Sequence, residues 1–133
     1  MNEITAADLA CPCCHIQVAN PRLLAALNQL QNISALKLEI RSGYRCHAHN
    51  ASVAGAPTSQ HLLGMAADLH SGAHPPLEMY LIAEQIPDFA RGGIGLYPEN
   101  LIHLDVRTWR ARWYRVAGKD HPITDYLTHA HAT

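Results

Sequence analysis

The run Leu36-Lys37-Leu38-Glu39-Ile40-Arg41 alternates apolar and charged residues one by one. Side chains repeat every second residue in a β-strand, so this run predicts a strand with one buried face. The residues before it follow a different period. In residues 21–31 (PRLLAALNQLQ), Leu23, Leu24, Leu27 and Leu30 recur at helical spacing and form one apolar stripe. Asn20 can accept from the first free N–H groups of that helix, and Pro21 suits its first position. The chain therefore folds with helices and short half-buried strands together.

The rest of the chain continues this mixture. Ser42-Gly43 ends the first strand, and residues 47–58 (HAHNASVAGAPT) predict a short helical turn and a loop. Residues 75–86 (PPLEMYLIAEQI) predict the second main helix, entered by prolines and stopped by Pro87. Residues 92–97 (GGIGLY) read as a glycine-rich buried strand, and Pro98-Glu99-Asn100 as a turn. Residues 102–107 alternate again, with Ile102, Leu104 and Val106 on one face and His103, Asp105 and Arg107 on the other. After Trp113 the pattern fades into a tail. The order predicts an α+β fold, a small, mainly antiparallel sheet with flanking helices. At 133 residues, 48% hydrophobic and 16% charged, the expectation is one domain spanning 1–133 with its core over about 7–113.

Charge excludes some functions. The formal net charge is -1, so no basic field is present to hold nucleic acid by its phosphates. No run approaches the ~18 apolar residues of a membrane span. The N-terminal MNEITAADLACPCC lacks the basic start and apolar core of a signal peptide. The expectation is a soluble monomer without membrane insertion. Of the ten histidines, His70, His74, His121, His129 and His131 lie in polar or terminal stretches and are expected mostly at the surface.

The stretch SQHLLGMAAD, residues 59–68, carries the chemistry. On a straight helix, His61 and Asp68 would be separated by ~10.5 Å. Zinc ligands sit only ~2.0–2.2 Å from the metal, so a helix keeps these two apart. A hairpin about Gly64-Met65 instead sets His61 opposite Asp68, with Cβ atoms ~4.5–5.5 Å apart. Glycine at the first central position suits a type II′ turn. A His–Asp hydrogen bond would need nothing more. A metal would need a third ligand, which His103 supplies from its polar strand face. Two histidines and one carboxylate, with a fourth position left to water, is a catalytic zinc arrangement.

SQHLLGMAAD resembles the S-x-H-x-x-G-x-A-x-D signature of the LAS zinc peptidases, with Ser59, His61, Gly64, Ala66 and Asp68 at its five positions. That family includes D-Ala-D-Ala carboxypeptidases, D,D-dipeptidases and L-alanyl-D-glutamate endopeptidases, and shares its fold with the hedgehog signalling domain. SGYRCHAHN (residues 42–50) and GGIGLYPENLIHLDVRTWRARW (residues 92–113) resemble further segments of it. So does ADLACPCC followed by the leucine-rich helix. The resemblance implies one Zn2+ on His61, Asp68 and His103. It implies that Arg45 faces the substrate and that Ser59 supports the zinc cluster by hydrogen bonding. The substrates it implies are peptidoglycan stem peptides, cut next to a D-amino acid, on a cell wall reached by a route other than a signal peptide.

One position departs from the better-known members, which carry Asp or Glu three residues before the last zinc histidine. Here Asn100 stands there and cannot take a proton. Asp105 is the favoured base or second supporting residue for the centre, with Glu99 the alternative. Asn100 also keeps open a non-catalytic binding module or a phage or secretion structural component. Tyr97, Trp109 and Trp113 are candidates for a substrate groove, with core packing expected for at least two of them. Cys11, Cys13, Cys14 and Cys46 leave three outcomes open: a disulfide between Cys46 and one of the others, free buried thiols, or a second metal.

Overall fold

The structure, a computed structural model, describes residues 2–72 and 74–132, with side chains described through residue 128. His129 and His131, expected at the surface, lie outside the described side chains; His70, His74 and His121 are half-buried. Helix α1 spans Pro21–Ser34. Asn20 caps it as expected, its Oδ1 accepting the Arg22 N–H at 2.8 Å. Leu23, Leu27 and Leu30 on its stripe are fully buried. It ends at Ala35, which adopts the left-handed conformation at φ 57°.

Strand β1 spans Glu39–Ser42 and a short helix, α2, spans His47–Ser52. Then follow β2 (Ala66–His70), α3 (Pro76–Ala83), α4 (Pro87–Arg91), β3 (Gly93–Tyr97) and β4 (Leu101–Asp105). Pro87 does not simply stop the preceding helix. It opens α4, because proline's fixed φ suits a first helical position and its missing N–H costs nothing there. The segment after Trp113 is no tail. Residues Ala111–Val116 form β5, Lys119–Pro122 form β6 and Ile123–Ala132 form α5.

The six strands lie in the order β1-β2-β4-β3-β5-β6. Every neighbouring pair is antiparallel except β3 with β5, which is parallel. The fold is thus α+β with a mainly antiparallel sheet, as the periodicities predict. Helices α1, α3 and α4 pack together, and α3 and α4 lie against β3 and β4. Between the layers, Leu69, Ile94, Leu96, Ile102 and Leu104 meet Leu27, Leu30, Met79 and Phe89 in one core.

A period of two sends the alternate residues to the opposite face. The register then sets Asp68 opposite His103, His103 opposite Gly95, and Gly95 opposite Trp113, a single row crossing four strands. The glycines in this row have a steric reason. A Cβ on Gly95 would run into the Trp113 ring, and one on Gly93 into the Asp105 carboxylate. Their absent side chains are the space those two groups occupy.

Candidate metal centre

Asp68 and His103 meet because β2 and β4 pair directly across them. His61 arrives differently from the hairpin expected. Gln60–Leu63 is one turn of 3₁₀ helix, and Gly64 closes it at φ 67°, ψ 24°. That is the left-handed cap of a helical turn, not the first corner of a type II′ hairpin. The expectation had the proximity right and the local geometry wrong, because a tight helical turn followed by a strand also reverses direction. Ser59 caps this turn, its Oγ accepting the backbone N–H of His61 at 3.1 Å. Ser59 thus supports the cluster through the main chain rather than through a ligand's side chain.

His61 is 2% exposed. Its Nδ1 lies 2.7 Å from the Gly43 carbonyl oxygen, and a carbonyl only accepts, so Nδ1 carries the proton. That leaves Nε2 as a lone-pair donor facing inward. Nε2 lies 3.2 Å from Asp68 Oδ2 yet makes no aligned hydrogen bond, and is buried without one. A buried polar atom without a partner needs an explanation. A lone pair available to a metal ion would supply it.

His103 is bracketed by two carboxylates. Its Nδ1 lies 3.0 Å from Asp68 Oδ1, and its Nε2 lies 2.7 Å from Asp105 Oδ2. Ligand atoms of His61, Asp68 and His103 all lie within 4.8 Å of one another, close enough for one ion. Burial pushes the His103 imidazole down, but the hydrogen bonds and charges of Asp105 and Asp68 outweigh it and hold it at about 9 in the metal-free chain. Burial also raises Asp68, but the hydrogen bond and charge of His103 overcome it, leaving the carboxyl well below its usual range. In the metal-free chain His103 therefore holds a proton between the two carboxylates.

Asp105 is fully buried and its oxygens are taken. Besides His103, they accept from the Gly93 N–H at 2.9 Å and from the Arg107 backbone N–H at 3.1 Å. Arg107 Nε and Nη2 donate to it at 2.9 and 2.7 Å. Burial opposes ionisation of Asp105, but His103 and Arg107 drive its carboxyl well below the usual range. This geometry favours the supporting role over the base: a carboxylate so committed holds the His103 ring in one orientation. Glu99 and Asn100 sit in the β3–β4 turn, both exposed, at φ 66° and 61°.

A cavity of about 720 Å³ opens over the cluster. Arg45 lines it, tied by Nη2 to Asp68 Oδ2 at 3.2 Å, by Nη1 to Asn50 at 3.3 Å and by Nε to Ser42 at 3.2 Å. Tyr97, Trp109 and Trp113 all line it too, which corrects the expectation that two of them pack in the core. Once Gly95 yields its space, Trp113 swings over the sheet, 5.2 Å from the His103 ring. The Arg107 guanidinium lies over both indoles, 5.3 Å from Trp109 and 5.4 Å from Trp113. Arg115 and Asp120 complete the wall and were missed in the sequence. Their signal was a hairpin turn at Ala117-Gly118, weakened because alanine at φ 51° stands where Asn or Asp usually marks such a turn.

Two histidines and a carboxylate beneath an open cavity, on a small α+β sheet, are the parts of a hydrolytic zinc centre. The family description "Peptidase M15" matches residues 2–105, and the chain belongs to that family of zinc peptidases. It is a metallopeptidase by family membership. No curated protein matches the sequence. Strands β5 and β6, which carry Trp113, Arg115 and Asp120, lie beyond the matched residues.

Proposed function

We propose that this chain is a zinc-dependent peptidoglycan peptidase that hydrolyses a stem-peptide bond next to a D-amino acid, as a D,D-carboxypeptidase or an endopeptidase. The observation that carries this reading is the unpartnered, buried His61 Nε2 beside Asp68 and His103 at the base of the cavity. His61, Asp68 and His103 hold one zinc ion. Zinc in such a site activates water near neutral pH and polarises a carbonyl. Asp105 keeps His103 Nε2 protonated and its Nδ1 free to ligate.

The cavity wall supports the substrate class. Arg45, Arg107 and Arg115 line it, paired in the free chain with Asp68, Asp105 and Asp120, and present three guanidinium groups to a ligand. Stem peptides carry free carboxylates, and guanidinium groups bind them through paired hydrogen bonds. Arg45 takes the carboxylate or carbonyl oxygen of the substrate nearest the scissile bond. Asp68 and Asp120 are the carboxylates among the described lining residues. With Asp68 committed to the metal, Asp120, half-exposed and paired through Oδ1 with Arg115 at 2.8 Å, accepts the proton of the attacking water on Oδ2 and passes it to the leaving amine.

Digestion of purified peptidoglycan, read by mass spectrometry alongside metal content, tests this for wild type and His61→Ala. One zinc per chain in the cluster and new stem-peptide fragments, both lost in the variant, are expected. Metal retained with no fragments would favour a non-catalytic binding module, the reading that Asn100 keeps in view. Asp120→Asn is expected to lower kcat at least 100-fold with metal content unchanged. Full activity in that variant would reject Asp120 as the proton acceptor.

A further inference from the structure

We propose that Cys11, Cys14 and Cys46 form a second zinc site, structural in role, sharing no ligand with the His61–Asp68–His103 cluster. The three sulfurs lie within 4.8 Å of one another, although Cys46 is 35 residues from Cys11. Cys11 is buried, while Cys14 and Cys46 are half-buried. All three are free thiols.

Distance separates the outcomes that the sequence left open. A disulfide requires sulfurs ~2.05 Å apart. Zinc–sulfur bonds are ~2.3 Å, and the edge of a tetrahedron is roughly 1.6 times its centre-to-corner length, so two thiolates on one zinc lie about 3.8 Å apart. Cys11 Sγ and Cys46 Sγ are 3.7 Å apart. That is the spacing of two ligands on one ion.

The local backbone is built for the same purpose. Cys11-Pro12-Cys13-Cys14-His15 is a C-x-x-C turn folded back on itself. The His15 N–H donates to the Cys11 carbonyl at 2.8 Å, and the Cys11 N–H to the Ile16 carbonyl at 3.0 Å. His15 takes the left-handed conformation at φ 62°, which turns the chain so that both sulfurs face the same side. Burial raises the Cys11 thiol, but the backbone N–H groups of Cys46, Cys14 and Cys13 outweigh it and lower it to about 6, toward the thiolate. Cys46 supplies the third sulfur from the N-terminal cap of α2, where it accepts the His49 N–H at 3.4 Å. Cys13 is exposed and lies outside this group of three.

The site's role follows from what it joins. Tyr44 N–H donates to the Leu9 carbonyl at 2.8 Å, so the N-terminal segment lies against residues 43–46. In that strip, Gly43 holds His61 Nδ1 and Arg45 reaches Asp68. A zinc ion on the three thiolates pins the strip in place from behind. Binding displaces the thiol protons and changes no oxidation state.

The test uses the full chain carrying His61→Ala, kept reduced and loaded with Co2+. Removing His61 leaves the thiolate site alone, so this result is independent of whether the chain cuts peptidoglycan. We expect one cobalt per chain with an intense near-ultraviolet thiolate charge-transfer band. Adding Cys46→Ser, which keeps a hydroxyl cap on α2, abolishes both. A mercurial thiol reagent added to the His61→Ala chain with all cysteines intact releases one metal per chain, and needs no further variant to fold. Absence of bound metal in the reduced chain, or bound metal without the thiolate band, would overturn the proposal.

Discussion

At the scale of single residues, the centre depends on which nitrogen of each histidine is committed. His61 gives Nδ1 to Gly43, and His103 gives Nε2 to Asp105, so opposite ring atoms remain for the cluster. Asp105→Asn removes the carboxylate that fixes His103 and leaves Arg107 unpaired. It is expected to weaken zinc affinity about 10–100-fold while leaving the ligands in place, as a chelator competition would measure. Protons compete for the same site. Because His103 is held at about 9 without metal, it carries a proton at neutral pH that zinc must displace. Apparent zinc affinity is therefore expected to rise about tenfold per pH unit toward pH 9 on account of this group, then level. Calorimetry in buffers of different ionisation enthalpy would detect the released proton. The metal-free fold shows the linked effect. A raised folded value stabilises fully below the unfolded value of about 6.5, and this contribution is lost as pH rises through about 9. The polar face of residues 102–107 makes His103 and Asp105 legible in the sequence. The division of labour between them was not, because it depends on Gly93 arriving from β3 and on the Arg107 guanidinium folding back onto Asp105.

At the scale of elements, β3 shows what a glycine-rich strand is for. Ile94 and Leu96 face the core, while Gly93 and Gly95 leave room for Asp105 and Trp113. Gly95→Val is expected to displace Trp113 and cost about 1–3 kcal/mol in stability by overpacking, and to raise KM more than it changes metal content. Retained KM with Trp113 fluorescence unchanged would count against this account. Helix α1 offers the opposite case. Ala35 sits at φ 57° at its C-terminus, where glycine carries no Cβ penalty. Ala35→Gly is expected to stabilise the chain by about 0.5–1 kcal/mol, visible as a higher thermal midpoint. Helix α1 was readable from its leucine spacing and Asn20-Pro21. The 3₁₀ turn at Gln60–Leu63 was not, because four residues are too few to display a period.

At the scale of the whole molecule, Glu84 ties the end of α3 to β5. It accepts from Arg110 and Arg112, and Arg112 also donates to the Gly92, Phe89 and Ala90 carbonyls. Burial opposes ionisation of Glu84, but its hydrogen bonds, foremost that from Arg112, lower it to about 2. A lowered folded value gives stability that is complete above the unfolded value of about 4.5 and lost as pH falls toward 2. Glu84→Gln is expected to cost about 2–3 kcal/mol at pH 7 and to flatten the acid limb of a denaturation profile over that window. What the sequence determined by itself is local. Helical spacing of leucines and strict alternation in the strands chose the elements and sorted each strand into a core face and a polar face, since side-chain direction follows backbone period alone. Only the tertiary structure decided what those faces meet: Asp68 beside His103, Trp113 over Gly95, three cysteine sulfurs drawn together, and Arg115 and Asp120 brought to the cavity by strands beyond the apparent end of the pattern. Those meetings are matters of register and loop closure between distant segments, and neither is encoded in the period of any one of them.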